Sequence, residues 1–151
     1  MATEEQAQHS TLFSHLRSGS YVRAGQRLTI SDRTVSKLAF YLYKKGSPTG
    51  NVTFTIRKVS DDSLINSKVW GDAADIPGSV TLEEVTFVTP ELVNEEVRIC
   101  VEFSGGNIAN EIGFYGETSD VKGGEYFEWY TTSWAKPAEW DLAYRYKYYE
   151  V

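Results

Sequence analysis

The sequence predicts an all-β protein, specifically an antiparallel β-sandwich for which a jelly roll is the expected wiring. Three observations support this class. Short runs of alternating apolar and polar residues recur along the chain, turn-forming residues separate them, and no window keeps the 3.6-residue period of a helix. The chain of 151 residues is 41% hydrophobic and 14% aromatic, which is enough to build one core. We expect a single domain over residues 10–151 and a flexible polar arm over residues 1–9.

Turn signals divide the first half of the chain into five expected strands. They cover residues 11–16, 26–30, 35–43, 51–59 and 64–70. The run 51–59 alternates most regularly between apolar and polar residues. The segment 46–51 contains Pro48 and Gly50, which favour a hairpin turn between the strands on either side. Residues 72–77 are expected to form one helical turn.

Five further strands are expected in the second half, over residues 80–88, 97–103, 111–115, 126–131 and 142–149. Thr89 and Pro90 end the first of them, and residues 91–95 are expected to connect it to the next. One face of the last strand should enter the core, and it carries Leu142, Tyr144, Tyr146 and Tyr148. Five side chains from the alternating runs should be buried: Phe40, Phe54, Ile99, Val101 and Tyr144.

The charge balance argues against nucleic acid as a partner. The net charge is −6, and the densest basic pair is Lys44 with Lys45. No apolar stretch approaches the length of a membrane span, so no membrane partner is expected. The first residues carry acids and no apolar run, so we expect no secretory signal and synthesis in the cytoplasm. A final location in a virion would fit the same features.

The residues that carry most catalytic and metal chemistry are scarce. Cys100 is the only cysteine, which excludes an internal disulfide, and its neighbours indicate a buried strand position. The two histidines, His9 and His15, lie near the N-terminus, so no catalytic triad, no enzyme activity and no cofactor are expected. The acidic loops around Asp61 and Asp120 lack the ladder of known calcium motifs, so no metal ligand is predicted. A calcium site formed by two loops meeting in space stays open.

The segment 126–151 has the densest aromatic content, with three of the four Trp and six of the ten Tyr. Trp134 and Trp140 flank a polar loop outside the alternating pattern. Such tryptophans can stack on sugar rings or on a protein partner, or they can fold back and plug the end of a sandwich. Both alternatives stay open here. Trp129 and Tyr130 lie on the preceding strand, where either face is available.

Asp141 begins the last strand directly after Trp140. Its carboxylate could bind a metal ion or a sugar hydroxyl, but the favoured interpretation is that it accepts backbone N–H groups and fixes a turn. Together with the loop aromatics it completes the set of candidate ligand-binding residues, which are Trp134, Trp140, Tyr130, Trp129, Asp141 and Asp120.

Three motifs resemble a known type of module. They are the stretch VSKLAFYLYKKGSPTGNVTFTI at 35–56, Gly123-Gly124-Glu125-Tyr126, and Trp140-Asp141-Leu142-Ala143-Tyr144-Arg145. Together they resemble a β-sandwich module of phage structural proteins and of secreted, multidomain surface proteins, over residues 35–146. The resemblance implies a jelly roll of the carbohydrate-binding type. The chain departs from the pattern at Asn94-Glu95-Glu96 and in the loop 135–139.

These observations favour a non-catalytic binding module. The first hypothesis is a phage or virus-like structural protein that decorates a capsid or belongs to a tail. The alternative is a carbohydrate-binding module that uses the loop aromatics, and a glycan-cleaving enzyme is a weaker third hypothesis. The expected partners are a glycan or another protein of a particle, and a homo-oligomer is one form that assembly could take.

Overall fold

Two strands of more than twenty residues run through the whole fold. They are β3 (Arg23–Lys45, 23 residues) and β6 (Thr81–Glu102, 22 residues). The other strands are β1 (Ala2–Gln6), β2 (Thr11–Leu16), β4 (Asn51–Lys58), β5 (Leu64–Asp72), β7 (Glu111–Glu117), β8 (Tyr126–Tyr130), β9 (Trp134–Ala135), β10 (Asp141–Leu142) and β11 (Tyr144–Glu150). This computed structural model describes residues 1–150. Strands make up 66% of the chain and helix 2%, so the predicted all-β class is confirmed.

Each long strand replaces two strands that the sequence pattern predicts. The register between β3 and β6 shifts between Ile30 and Arg33 and again between Val35 and Lys37. A β-bulge inserts an extra residue, so it interrupts the alternation of side chains without ending the pairing. The predicted connection at residues 91–95 is therefore wrong, because these residues pair with β3 as part of β6.

The strands form one antiparallel sheet that changes partners along β3. Its path runs β1-β11-β3-β6-β4-β5, with β7, β2, β8, β9 and β10 attached beside it. The N-terminal part of β3 pairs with β8, while its C-terminal part pairs first with β11 and then with β7. Inner side chains of every strand except β1 and β9 form or pack against one hydrophobic cluster. This arrangement is sandwich-like, and the jelly-roll wiring stays a prediction.

The core contains every side chain that the alternating runs place there. Phe40, Phe54, Ile99, Val101 and Tyr144 are all 0% exposed, as predicted. The rings of Phe40 and Phe54 meet edge to face with centroids 5.1 Å apart, which favours both packing and orientation. The predicted helical turn is present as a 3₁₀ turn over Ala73–Asp75, capped by the side chain of Asp72.

The turn between β3 and β4 has the predicted residue chemistry but a different role. Gly46 and Gly50 have φ values of 73° and 113°, which favour glycine, and a Cβ at Gly46 would lie 2.1 Å from the Ala109 carbonyl oxygen. The strands on either side do not pair with each other. The end of β3 pairs with β7, and β4 pairs with β5 and β6. The turn thus carries the chain across the fold, and the hairpin prediction is wrong.

The N-terminal residues occupy the edge of the sheet where a flexible arm over residues 1–9 was expected. Strand β1 pairs with β11 from Ala2 opposite Tyr148 to Gln6 opposite Tyr144. The Glu4 carboxylate accepts from Lys122 Nζ at 2.9 Å and lies 3.4 Å from Arg33 Nη1. Most side chains of β1 are exposed, so the sequence carries no apolar alternation that would predict this strand. Its pairing nevertheless satisfies backbone N–H and C=O groups of β11 that would otherwise lie at an open sheet edge.

We expect Glu4→Gln to lower the free energy of unfolding at neutral pH by about 1 kcal/mol or less, since the pair is partly exposed. Burial raises the pKa of Glu4, but Lys122 and Arg33 outweigh it and hold that pKa below its usual value. The stabilisation is therefore present above the unfolded-state pKa and is lost as the pH falls through the folded-state pKa.

Thermal unfolding across the pH range checks this, with Glu5→Gln as the matched control because Glu5 is exposed on the same strand. The difference between Glu4→Gln and the wild type should shrink in acid, below the usual glutamate pKa of about 4.3. Equal effects of the two substitutions at neutral pH would contradict an anchored β1.

Candidate functional site

The outer surface of β8, β3, β6 and β4 carries a polar layer, which we name the polar face. Cross-strand pairing places its residues in three rows. The rows are Tyr130, Arg23, Glu102 and Thr53; then Glu128, Gly25, Cys100 and Thr55; then Tyr126, Arg27, Arg98 and Arg57. These positions alternate with core residues along each strand, so their side chains project away from the core.

Ion pairs hold the polar face together. Arg98 Nε donates to Glu128 Oε1 at 2.8 Å, and both side chains are almost fully buried. Arg57 donates two hydrogen bonds to the Glu102 carboxylate, from Nε at 2.7 Å and from Nη2 at 3.1 Å. This two-point geometry is the strong form of an arginine–carboxylate pair. Removing one partner of such a pair would leave an uncompensated charge, so the layer is fixed in place.

Trp134 lies across the polar face. Gly25 makes room for it, since a Cβ there would stand 3.2 Å from Trp134 Cη2 and 3.0 Å from Cys100 Sγ. The Arg98 guanidinium lies 4.7 Å from the centre of the indole ring, within the range of a cation–π contact. The indole Nε1 donates to Asp62 Oδ1 at 2.9 Å. The ring is half-buried and held by these contacts.

Tyr130 and Arg23 continue the aromatic surface from Trp134 to a cleft. The rings of Tyr130 and Trp134 are 5.3 Å apart, and the Arg23 guanidinium lies 4.1 Å from the centre of the Tyr130 ring. The cleft beside Arg23 has a volume of about 290 Å³. Its lining consists of Val22, Arg23, Asn51, Thr53, Glu102, Phe103 and Ser104. An aromatic surface therefore borders a cleft with mostly polar walls.

Asp62 joins the two halves of this site. Its Oδ2 accepts from Arg23 Nη1 at 2.8 Å while its Oδ1 accepts from Trp134. Burial tends to raise the pKa of Asp62, but hydrogen bonds from Trp134 and Arg23, with the charge of Arg57, hold that pKa below its usual value. Asp62 has a φ of 62° in the turn between β4 and β5, a conformation that Asp and Asn tolerate best among non-glycine residues.

The other two candidate tryptophans lie against the core. The Trp140 ring is 4.9 Å from Phe13 and 6.0 Å from Trp129. Trp129 stacks on Tyr21 with centroids 4.3 Å apart, and it also meets Phe127 edge to face. Of the two alternatives for a loop tryptophan, Trp140 has the geometry of a plug, and Trp134 has the geometry of a surface aromatic.

Asp141 is buried and its carboxylate is occupied inside the protein. Oδ1 accepts from Gln26 Nε2 at 2.7 Å, and Oδ2 accepts from the backbone N–H groups of Val121 and Lys122, both at 2.8 Å. Burial raises the pKa of Asp141 and these donors oppose that shift. The geometry is that of the favoured interpretation, in which the carboxylate fixes a turn. Asp120 is exposed in the adjacent loop.

His15 lies in β2, within the strand predicted over residues 11–16. Its Nε2 is 2.6 Å from the Tyr43 hydroxyl, and its Nδ1 is 3.7 Å from the buried Glu111 carboxylate. The three residues of this cluster lie on β2, β3 and β7, so no local sequence pattern brings them together. Cys100 is buried as predicted, and burial raises the pKa of its thiol.

Residues 1–150 contain neither a cluster of metal-ligating side chains nor a membrane-spanning helix. Within that span, no three His, Cys, Asp or Glu side chains gather into a group that could hold a metal ion. None of the helical residues in the same span makes a segment long and apolar enough to cross a membrane.

Sequence analysis missed most of the cleft. The polar lining comes from three separate segments, and only folding brings them together: Arg23 is in β3, Asn51 and Thr53 are in β4, and Ser104 follows β6. One local pattern does point to the polar face. In β3, the alternate positions 23, 25 and 27 carry Arg, Gly and Arg, which indicates an outward face. A glycine in such a face marks a site that another group can approach closely.

Comparison with models of known protein families finds none that matches this chain, and comparison with curated proteins finds no significant match. The resemblance to phage and surface modules stays a prediction.

We expect Trp140→Ala to cost about 3 kcal/mol of stability, because the substitution removes a ring packed among core aromatics. Trp134→Ala should cost about 1 kcal/mol, since it removes one indole hydrogen bond and a surface contact. Urea unfolding of the two variants measures both. A larger loss for Trp134→Ala than for Trp140→Ala would reverse the roles given to the two rings.

Proposed function

We propose that this protein is a non-catalytic binding module that holds a carbohydrate on Tyr130 and Trp134, with part of the ligand in the adjoining cleft. The observation that carries the proposal is the fixed position of Trp134. Gly25 beneath the ring and Asp62 at its N–H hold it on the outer surface. Tyr130 contacts both Trp134 and Arg23, and Arg23 lines a cleft with mostly polar walls.

Sugars combine flat patches of C–H groups with a rim of hydroxyls. An aromatic ring takes the apolar patch, and nearby polar side chains take the hydroxyls. Tyr130 and Trp134 supply the first kind of contact, while Asn51, Thr53 and Ser104 supply the second. Because Trp134 is already immobilised, little side-chain entropy is lost on binding, which favours affinity.

We expect Trp134→Ala and Tyr130→Ala each to weaken glycan binding by about 1–3 kcal/mol, by analogy with the stacking of bases on aromatic side chains. An array of plant, bacterial and animal oligosaccharides identifies a ligand for the wild type, and titration calorimetry then measures the loss.

Tyr149→Ala is the matched control, because Tyr149 is a tyrosine 51% exposed on β11, away from the polar face. It should leave affinity unchanged. If no array glycan binds the wild type, or if Tyr149→Ala weakens binding as much as Trp134→Ala, the proposal fails.

A role in a phage or virus-like particle is the second proposal, and it is compatible with glycan binding. Its supports are the resemblance of the three motifs and the exposure of apolar side chains on β6, where Val88 is 83% and Leu92 is 52% exposed. Contiguous patches of exposed apolar residues are typical of surfaces that contact another protein. We propose that this stretch of β6 contacts a second copy of the chain.

Light scattering over a range of concentrations tests the contact. The wild type should associate, and Val88→Asp should not, because a buried unpaired charge disfavours the interface. Ile108→Asp is the matched control, since Ile108 is 68% exposed but lies in the loop between β6 and β7, outside the proposed contact. A wild type that stays monomeric at every concentration would overturn the contact.

A further inference from the structure

We infer that the cleft beside Arg23 selects uncharged sugar residues over acidic ones, and that Asp62 sets this preference by neutralising Arg23. The inference rests on the proposed carbohydrate-binding function and names the chemical class of its ligand. It follows from how the charges around the cleft are paired.

The arginine that lines the cleft is already engaged. Arg23 Nη1 donates to Asp62 Oδ2 at 2.8 Å, and its Nε lies 3.6 Å from Glu102 Oε1. The next arginine, Arg57, holds Glu102 through two hydrogen bonds and donates Nη1 to the Asp62 carbonyl oxygen at 2.9 Å. Two positive and two negative side chains thus cancel around the cleft.

An arginine with an open fork suits carboxylated sugars, because guanidinium recognises a carboxylate through two parallel hydrogen bonds. Asp62 takes the Nη1 donor of Arg23 through one hydrogen bond and brings a negative charge to it. A ligand carboxylate would compete with Asp62 for Arg23 and would meet the negative charge of Glu102 as well. The remaining polar lining, from Asn51, Thr53 and Ser104, is uncharged and suits hydroxyl and amide groups.

The charge of the whole chain favours the same selection. At a net charge of −6, the protein repels acidic glycans at distances up to the Debye length of about 8 Å at physiological salt. Neutral glycans feel no such repulsion, so their affinity should be almost independent of salt.

The first test compares matched probes on the wild type. Neutral galactose and glucose oligomers and their galacturonate and glucuronate counterparts are applied at equal density, together with sialylated and unsialylated lactose. We expect binding to neutral members only. Preferential binding to the carboxylated members would overturn the inference while leaving glycan binding intact. Absence of binding to any probe would instead count against the proposed function.

The second test removes the neutralising charge. Asp62→Asn keeps a residue that tolerates the positive φ and keeps an acceptor for the Trp134 N–H, but it frees Arg23. We expect the ratio of affinities, carboxylated over neutral, to rise by about tenfold, which corresponds to ~1.4 kcal/mol. Thermal unfolding verifies that the variant is folded.

Asp61→Asn is the matched control. It makes the same change in net charge one residue away, but Asp61 is exposed and accepts hydrogen bonds from Ser63 rather than from Arg23. The control should leave the affinity ratio unchanged. An equal rise in both variants would show that overall charge, rather than Arg23, sets the preference, and no rise in Asp62→Asn would also overturn the inference.

Discussion

The pairing of β3 with β6 is the interaction on which the rest of the structure depends. The two strands pair from Arg23 opposite Glu102 to Leu42 opposite Thr81, with two register shifts between. Four further strands pair directly with one of these two. Strands β11, β7 and β8 pair with β3, and β4 pairs with β6. The remaining five strands attach through these four. Bulges raise the local twist of paired strands, which lets one continuous ladder serve two parts of the sheet with a shared core.

That shared ladder also positions the candidate site. Where β8 joins β3, and where β4 joins β6, the outer side chains form the polar face with its cancelling ion pairs. An uncovered glycine at position 25 would leave a gap in this face, and Trp134 fills it. The same contact therefore stabilises the sheet and presents an aromatic surface, so structure and proposed function share one residue.

A polar network closes the opposite, inner side of the same strands. Buried Gln26 donates Nε2 to Asp141 at 2.7 Å and to Glu125 at 3.1 Å, and its Oε1 accepts the Leu142 N–H at 2.9 Å. The Tyr144 hydroxyl donates to Glu125 at 2.6 Å, and burial raises the pKa of both groups. Fully bonded networks of this kind specify one arrangement of strands, because any slip would leave buried polar groups without partners.

The sequence by itself determined the all-β class and the burial of Phe40, Phe54 and Tyr144, and it singled out Trp134 and Trp140 as loop tryptophans without deciding between a surface aromatic and a plug. Alternation at every second residue is a local property, so it is visible along the chain. Tertiary structure alone decided that strands predicted as separate are continuous, that residues 2–6 complete the edge of the sheet, and that Trp140 packs inward while Trp134 lies outward. It also decided that Asp62 bonds both Arg23 and Trp134 and that Ser104 lines a cleft with Arg23. Contacts between distant segments depend on which strands pair, and no local pattern records that choice.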